Sequence, residues 1–184
     1  MGRMIDQILD FTRIRLGRGL PLQRRNIDLA EVCRLVIDES ENTDGNQPVK
    51  LEQIGDALGT WDGDRLSQLV SNLLANAVAH GTKDAPVTIR LDGTDEKQLT
   101  LEVHNRGVIP PDVLPVLFDA FRSTNHKQER SSGLGLGLFI TQQIVLAHGG
   151  TIAVTSTAED GTRFVVRLPR SAPLGATSFD GGKH

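Results

Sequence analysis

Apolar residues recur at helical spacing in four stretches of the chain: 1–19, 28–41, 62–81 and 134–149. In the longest of them, 62–81, leucines, valines and alanines form one broad face and the pattern ends at Gly81. The sequence therefore predicts four helices, the first three with their apolar residues on one face. The first begins without a capping signal, and we expect it to be cut from a longer helix.

Between these helices the pattern changes to the alternation typical of strands. A single short helix is predicted near 110–118, and residues 20–28 read as extended. The predicted strands are 49–54, 57–61, 85–93, 98–105, 150–158 and 161–169. Because strands and helices interleave and the last strands form hairpins, we expect an α+β fold: a two-layer sandwich with helices on one face of a mixed sheet.

Composition adds limits rather than an activity. With 184 residues, 38% of them hydrophobic, and a net charge of −3, the chain can bury a core but has no basic footprint for nucleic acid. Its single cysteine, Cys33, lies on an apolar helix face and should be a buried thiol; one cysteine cannot form an internal disulfide, which suits a reducing compartment. No apolar run reaches the ~20 residues that span a bilayer. We expect a cytoplasmic domain, whether or not a parent protein is membrane-anchored, followed by a flexible Gly/Ser-rich tail or linker at 171–184.

One stripe of the long predicted helix is polar: Asn72, Asn76 and His80 recur every four residues. Asparagine is a poor helix former, because its amide competes for backbone hydrogen bonds. Two explanations stay open for this stripe. It is a solvated face, or its amides point together at one ligand and offer oxygen to a hard cation such as Mg²⁺.

Asn105 ends a predicted strand and is followed by Gly107 and two prolines. A turn at the strand end explains this pattern by default. Beside the long helix, the same turn could wall an adenine pocket in which Asn105 reads the purine edge.

A polar stretch, 122–133, leads into the last predicted helix. Its basic residues are Arg122, His126, Lys127 and Arg130. A stretch of this length without apolar periodicity is typical of a lid that meets phosphate oxygens or of a solvated loop. From its last residue onward, three glycines stand at alternate positions: Gly133, Gly135 and Gly137. Bare N–H groups at a helix start favour phosphate binding.

These stretches together resemble the catalytic domain of sensor histidine kinases. "NLLANAVAHG" is similar to the N box, "HNRGVIPP" to the G1 box, "LFDAF" to the F box, "GLGLGLFITQQIVLAHGG" to the G2 box and "GTRF" to the closing glycine-threonine element. The resemblance covers about residues 20–170, and residues 1–19 resemble the end of the second dimerisation helix. It implies a Bergerat-type (GHKL) ATP-binding fold, with ATP and Mg²⁺ as cofactors and a mobile ATP lid.

The resemblance also implies roles for individual residues. Asn76 matches the Mg²⁺-coordinating asparagine, and Asn72 matches the N-box position one turn earlier; both are candidate catalytic residues. His80 matches a position that lines the nucleotide site, Asn105 the aspartate that binds the adenine amino group, and Gly107 the glycine two residues on.

The later motifs are matched in the same way. Phe118 and Phe121 match the F-box aromatics that support the lid, and Thr162 the threonine near the adenine. Gly133, Gly135 and Gly137 match the G2 glycines.

The chain departs from the family pattern at four points. Asn105 replaces the usual aspartate, the G1 loop is one residue short, and Ala120 replaces the F-box proline. Ala79 stands where many members carry a phosphate-contacting lysine, for which Lys83 is a candidate substitute. We expect weaker nucleotide binding as a result.

The favoured hypothesis is an ATP-binding catalytic domain of a protein-histidine kinase. None of the five histidines is followed by Asp or Glu, so we expect the γ-phosphate to pass to a histidine on a dimerisation domain absent from this chain. The implied partners are that domain, a response regulator or receiver domain, and a second copy of the parent kinase. The alternatives are a regulatory nucleotide-binding module without kinase activity and a GHKL-type ATPase. The ATPases carry a glutamate where this chain has Asn72, which cannot act as a general base.

Overall fold

The computed structural model describes residues 2–44, 47–121 and 134–171, which form four α-helices and seven strands. In chain order these are α1 (Gly2–Arg15), β1 (Arg25–Asp28), α2 (Leu29–Asp44), β2 (Val49–Gly55), β3 (Leu58–Trp61), α3 (Gly63–His80), β4 (Val87–Gly93), β5 (Gln98–Asn105), α4 (Gly137–Ala147), β6 (Thr151–Thr157) and β7 (Gly161–Pro169). A single 3-10 turn, Leu114–Val116, lies where a short helix was predicted.

Five strands form the main sheet in the order β2-β4-β5-β7-β6. The pairing of β2 with β4 is parallel and the other three pairings are antiparallel, so the sheet is mixed as predicted. The last strand along the described chain, β7, is inserted between β5 and β6. The remaining strands, β1 and β3, pair with each other in a separate two-stranded sheet.

Helices α2, α3 and α4 cover one face of the sheet. The predicted apolar face of α3 is buried, and it packs with α4 against β4, β5 and β7. The opposite face of the sheet carries the charge pairs Arg90–Glu52 and Arg163–Glu102. The predicted two-layer α+β architecture is therefore confirmed.

The start of α3 is fixed by Asp62. Its carboxylate accepts the amide of Arg65 at 3.1 Å and the amide of Gln23 at 2.7 Å. The backbone N–H of Asp62 donates to Nε2 of the fully buried His148 at 3.1 Å. This N-cap thus joins the beginning of α3 to the end of α4 and to the segment that follows α1.

Helix α1 packs on the domain through one side only. The buried carboxylate of Asp10 binds the Arg65 guanidinium with two hydrogen bonds, of 2.6 and 3.0 Å. The ring of Phe11 lies edge-on to Phe121 and to Phe139. The other side leaves Ile5 and several further apolar residues exposed. No helix in the described part of the chain is long and apolar enough to cross a bilayer.

Towards the other end of the described chain, Arg170 joins the β2–β3 turn to the β4–β5 turn. Its guanidinium donates to Asp56, Leu58, Gly93 and Asp95. Only residue 171 of the predicted tail falls within the described part of the chain.

Candidate functional site

The candidate site is built where the end of α3, the end of β5 and the beginning of β7 meet. Asn105 is the last residue of β5 and pairs in register with Thr162 on β7. The side chain of Asn105 is 2% exposed, and its Nδ2 has no hydrogen-bond partner among the described residues. A buried amide N–H without a partner is rare, and this atom is therefore distinctive among the buried polar groups of the described residues.

Gly107 is required by the close approach of two backbones. A Cβ at this position would lie 1.7 Å from the His80 carbonyl oxygen and 2.8 Å from Asn105 Nδ2. Any side chain at 107 would push the loop after β5 away from the end of α3. The glycine predicted from the G1 motif therefore brings Asn105 next to the helix that carries Asn76.

A chain of hydrogen bonds holds the same loop on β6 and β7. The amide of Ile109 donates to Ser156 Oγ at 2.8 Å, and the Thr162 hydroxyl donates to the Gly107 carbonyl at 2.8 Å. The two hydroxyls are 2.8 Å apart, and since the Thr162 proton is used, Ser156 is the donor between them. Thr162, a candidate nucleotide-binding residue, thus holds the loop that follows Asn105 against β7.

The sequence did not single out Ser156. A signal for it exists, because a hairpin turning at Asp160 and Gly161 places Ser156 opposite Thr162. Gly161 has φ +81°, and a Cβ there would lie 2.2 Å from the Asn105 carbonyl oxygen. The turn therefore also fixes the backbone of Asn105.

The two asparagines of α3 have different surroundings. Asn72 Nδ2 donates to the Gly137 carbonyl at 3.1 Å and contacts Thr141 Oγ1 at 3.3 Å, so its amide joins α3 to the start of α4. Asn76 is half-buried and makes no side-chain hydrogen bond with the described residues. The Nδ2 of Asn72 is thus used within the fold, whereas no described residue uses the amide oxygen of Asn76; that both amides point at one ligand stays a prediction.

His80 and Lys83 lie at and beyond the end of α3. His80 is an exposed residue, and partial desolvation lowers the pKa of its imidazole. Lys83 is exposed in the following turn and forms no ion pair with a described residue, and its role as a substitute for the family's lysine stays a prediction. Ala79, in place of the family's lysine, is also exposed.

The G2 glycines divide into three cases. Gly137 begins α4 next to Asn72, and Gly135 precedes the helix with φ +68°. Helix α4 therefore starts three residues later than its apolar pattern begins, because Gly135 is in the left-handed region. Gly133 lies outside the described residues, as do the basic residues Arg122, His126, Lys127 and Arg130.

The F-box aromatics contact different neighbours. Phe118 packs edge-on to the buried Phe164 at 6.4 Å between ring centroids. Phe121 has φ +63°, and its amide donates to the Gly135 carbonyl at 3.0 Å. The exposed ring of Phe121 lies 4.7 Å from the ring of Phe11 on α1. Phe121 thus contacts both α1 and the segment that precedes α4.

A cleft of about 450 Å³ lies between α1 and α3. Asp10, Arg65, Gln68 and Asn72 are among its lining residues, and neither Asn76 nor Asn105 is. It is thus separate from the Asn105 corner. No cluster of three acidic, histidine or cysteine side chains suited to a metal occurs among residues 2–44, 47–121 and 134–171.

Sensor histidine kinases are among the known proteins that this chain resembles in sequence and in fold. The chain is 34% identical over 172 residues to the sensor histidine kinase CusS of Escherichia coli, covering 92% of this chain and 35% of the relative. It is 31% identical over 180 residues to the bacteriophytochrome of Pseudomonas aeruginosa, covering 97% and 25%. The solved mycobacterial sensor histidine kinase MprB superposes with a TM-score of 0.70 at 24% identity, over 82% of this chain and 100% of that one.

The chain thus spans 25% to 35% of the length of these two curated relatives. The family model described as "histidine kinase-, DNA gyrase B-, and HSP90-like ATPase" matches residues 61–172, which is more than half of the chain and includes α3, Asn105 and Thr162. The chain belongs to this family of ATPase domains.

Proposed function

We propose that this chain is the ATP-binding catalytic domain of a sensor histidine kinase. In this proposal the domain transfers the γ-phosphate of ATP to a histidine on a dimerisation domain outside the chain. A response regulator or receiver domain then takes the phosphoryl group, and the parent kinase works as a homodimer in the cytoplasm. Membership of the ATPase-domain family and the similarity to two sensor kinases support the proposal.

The observation that carries the choice of a kinase over an ATPase is the state of Asn72. A hydrolase needs a group that activates water, and an amide engaged as a donor to Gly137 and Thr141 cannot take a proton. A kinase needs no such group, because its acceptor supplies the nucleophile and catalysis comes from positioning and charge neutralisation.

The described residues fit a nucleotide and its cation. Asn105 has an amide oxygen that no described residue uses, and Gly107 allows the loop after it to lie against the end of α3. Asn76 offers an amide oxygen that no described residue uses, and oxygen donors together with water and phosphate are what Mg²⁺ prefers. When bound, Mg²⁺ supplies charge neutralisation for the phosphates.

Calorimetric titration of the full chain with a non-hydrolysable ATP analogue, with and without Mg²⁺, tests the binding half of the proposal. We expect saturable binding that requires Mg²⁺ and is lost in Asn76→Ala. Asn26→Ala, on the exposed strand β1, is the matched control and should bind like the unmodified chain. Absence of binding at millimolar nucleotide would favour the regulatory alternative.

The transfer half is tested by adding a dimerisation domain that carries the acceptor histidine. Labelled phosphate from ATP should appear on that domain and not on this chain, and release of free phosphate by this chain alone should stay at the background level. Rapid phosphate release without transfer would instead identify the chain as a GHKL-type ATPase.

A further inference from the structure

His148 is fully buried at the end of α4, and the proposed function makes no use of it. Both ring nitrogens are engaged: Nδ1 lies 2.8 Å from the Ile144 carbonyl oxygen, and Nε2 lies 3.1 Å from the backbone nitrogen of Asp62. A carbonyl oxygen can only accept a hydrogen bond and a backbone N–H can only donate one, so the ring is neutral and its proton is on Nδ1. A second proton, on Nε2, would point at the Asp62 N–H. The imidazolium form therefore does not fit this arrangement.

Among the described residues, two charged side chains face the ring. Arg24, in the segment before β1, donates to the last carbonyl group of α4 at 3.1 Å and places a positive charge there. The carboxylate of Asp62 brings a negative charge, but its oxygens already accept from the amides of Gln23 at 2.7 Å and Arg65 at 3.1 Å. Helix α4 itself contains no ionisable side chain. A protonated His148 would therefore compete with these two amides for the carboxylate.

The same corner of the fold holds α1 on the domain. The Arg65 amide that Asp62 accepts belongs to the first turn of α3, and the guanidinium of Arg65 binds Asp10 of α1 with bonds of 2.6 and 3.0 Å. Gln23, whose amide also binds Asp62, belongs to the segment that follows α1. Loss of the bonds to Asp62 would thus weaken the attachment of α1 at two places.

We propose that His148 makes the docking of α1 sensitive to acid. When Nε2 takes up a proton from solvent, the Asp62 N–H loses its acceptor, and the imidazolium draws the Asp62 carboxylate away from the amides of Gln23 and Arg65. The first turn of α3 and the segment after α1 are then loosened together, and α1 detaches while the sheet stays folded. This device requires no bound nucleotide.

Hydrogen exchange of α1 in the full chain tests the inference, measured by mass spectrometry from about pH 7.5 to about pH 5.5. Dividing each exchange rate by the intrinsic rate at the same pH gives the opening constant of the helix. An exposed histidine titrates near pH 6.5, so an opening that exposes His148 becomes up to about tenfold more favourable across this range. We expect the α1 opening constant to rise about three- to tenfold, while β5 stays protected. A constant that does not change with pH, or exchange of α1 and β5 at equal rates, would overturn the inference.

His148→Gln is the decisive variant, because its amide can accept from the Asp62 N–H and donate to the Ile144 carbonyl but cannot be protonated. Its α1 opening constant should change less than about twofold between the two pH values. His104→Gln in β5, where the ring contacts only a turn carbonyl among the described residues, is the matched control and should keep the full increase. Circular dichroism and the fluorescence of the buried Trp61 report whether each variant folds. An increase that persists in His148→Gln would assign the acid response to another group.

An NMR titration of the unmodified chain gives a second readout that needs no variant to fold. The imidazole signal of His148 and the amide signals of α1 should change with the same midpoint pH, because one proton causes both changes. Different midpoints would overturn the inference.

Discussion

Replacement of Thr162 by valine removes one hydroxyl from the chain of hydrogen bonds that holds the loop after β5. The two side chains have nearly the same shape, so the packing of β7 should be retained. The change leaves the buried Gly107 carbonyl without its donor and Ser156 without its acceptor. Of the bonds that hold Gly107 and Ile109 against β6 and β7, the one from Ile109 to Ser156 then remains.

The cost follows from the burial of these groups. Thr162 is 2% exposed, and a buried acceptor left unpaired costs about 1–3 kcal/mol. The higher strand preference of valine offsets a few tenths of this. We therefore expect Thr162→Val to lower the free energy of unfolding by about 2 kcal/mol. With an m-value of about 2 kcal/mol/M, the urea midpoint falls by about 1 M.

The assay is urea unfolding followed by the fluorescence of Trp61, the single tryptophan, which is fully buried. Thr155→Val on the exposed side of β6 is the matched control, and its midpoint should change by less than about 0.3 M. A double-mutant cycle with Ser156→Ala should be non-additive by at least about 0.5 kcal/mol, because both changes remove the bond between the hydroxyls.

Two results would refute this reasoning. The first is a midpoint for Thr162→Val equal to that of the Thr155→Val control, which would mean that the Gly107 carbonyl finds another donor at no cost. The second is strict additivity in the cycle, which would mean that the two hydroxyls do not interact. The same variant should also weaken nucleotide binding, since it loosens the loop next to Asn105.

Three further predictions concern groups outside this loop. In Asp10→Asn the partly buried Arg65 loses its counter-charge, so α1 should detach and its amides exchange at least about tenfold faster, while exchange in the Trp61 core stays unchanged. The pKa of His148 is lowered below its ordinary 6.5, chiefly by desolvation, and its Nε2 accepts from a backbone N–H. The unfolded chain therefore takes up a proton near pH 6.5 that the native chain does not. Stability should fall as pH decreases from about 6.5 towards the native pKa, and His148→Gln should reduce this slope in urea titrations. Burial raises the pKa of the Cys33 thiol to about 12, so a disulfide reagent at pH 8 should react with it only as fast as the chain unfolds.

Much of this fold could be predicted from the sequence, because its elements have strong local patterns. The apolar face of α3 and the strict alternation along β5 each follow from a period that a short window reveals. Pairing between distant segments has no such local signal. The β1–β3 ribbon joins Arg25–Asp28 to Leu58–Trp61 across the whole of α2, and no spacing in either segment specifies it.

The candidate site was predictable in its positions and less so in its contacts. The G1 glycine could be identified from the motif, but its role in contacting the His80 carbonyl depends on two backbones far apart in the chain. The direction of the Asn72 amide depends on which helix packs beside α3. That helix is α4, and its first residue, Gly137, accepts the Asn72 amide. The start of α4 was placed too early, because apolar residues at 134 and 136 continue the pattern through a backbone that glycine bends.

The insertion of β7 between β5 and β6 has a consequence for how the protein is made. Both neighbours are synthesised before β7, and among the described strands β6 pairs with β7 alone. During translation the β5 edge and the inner face of α4 must therefore wait for residues 161–170 to leave the ribosome. A nascent chain that stalls before this point exposes a strand edge and an apolar layer together, which is the combination most prone to aggregate. Pairing of β7 completes the sheet, and the hydrogen bonds of Arg170 to Asp56 and Gly93 can form at nearly the same time. We therefore expect the domain to fold late and cooperatively.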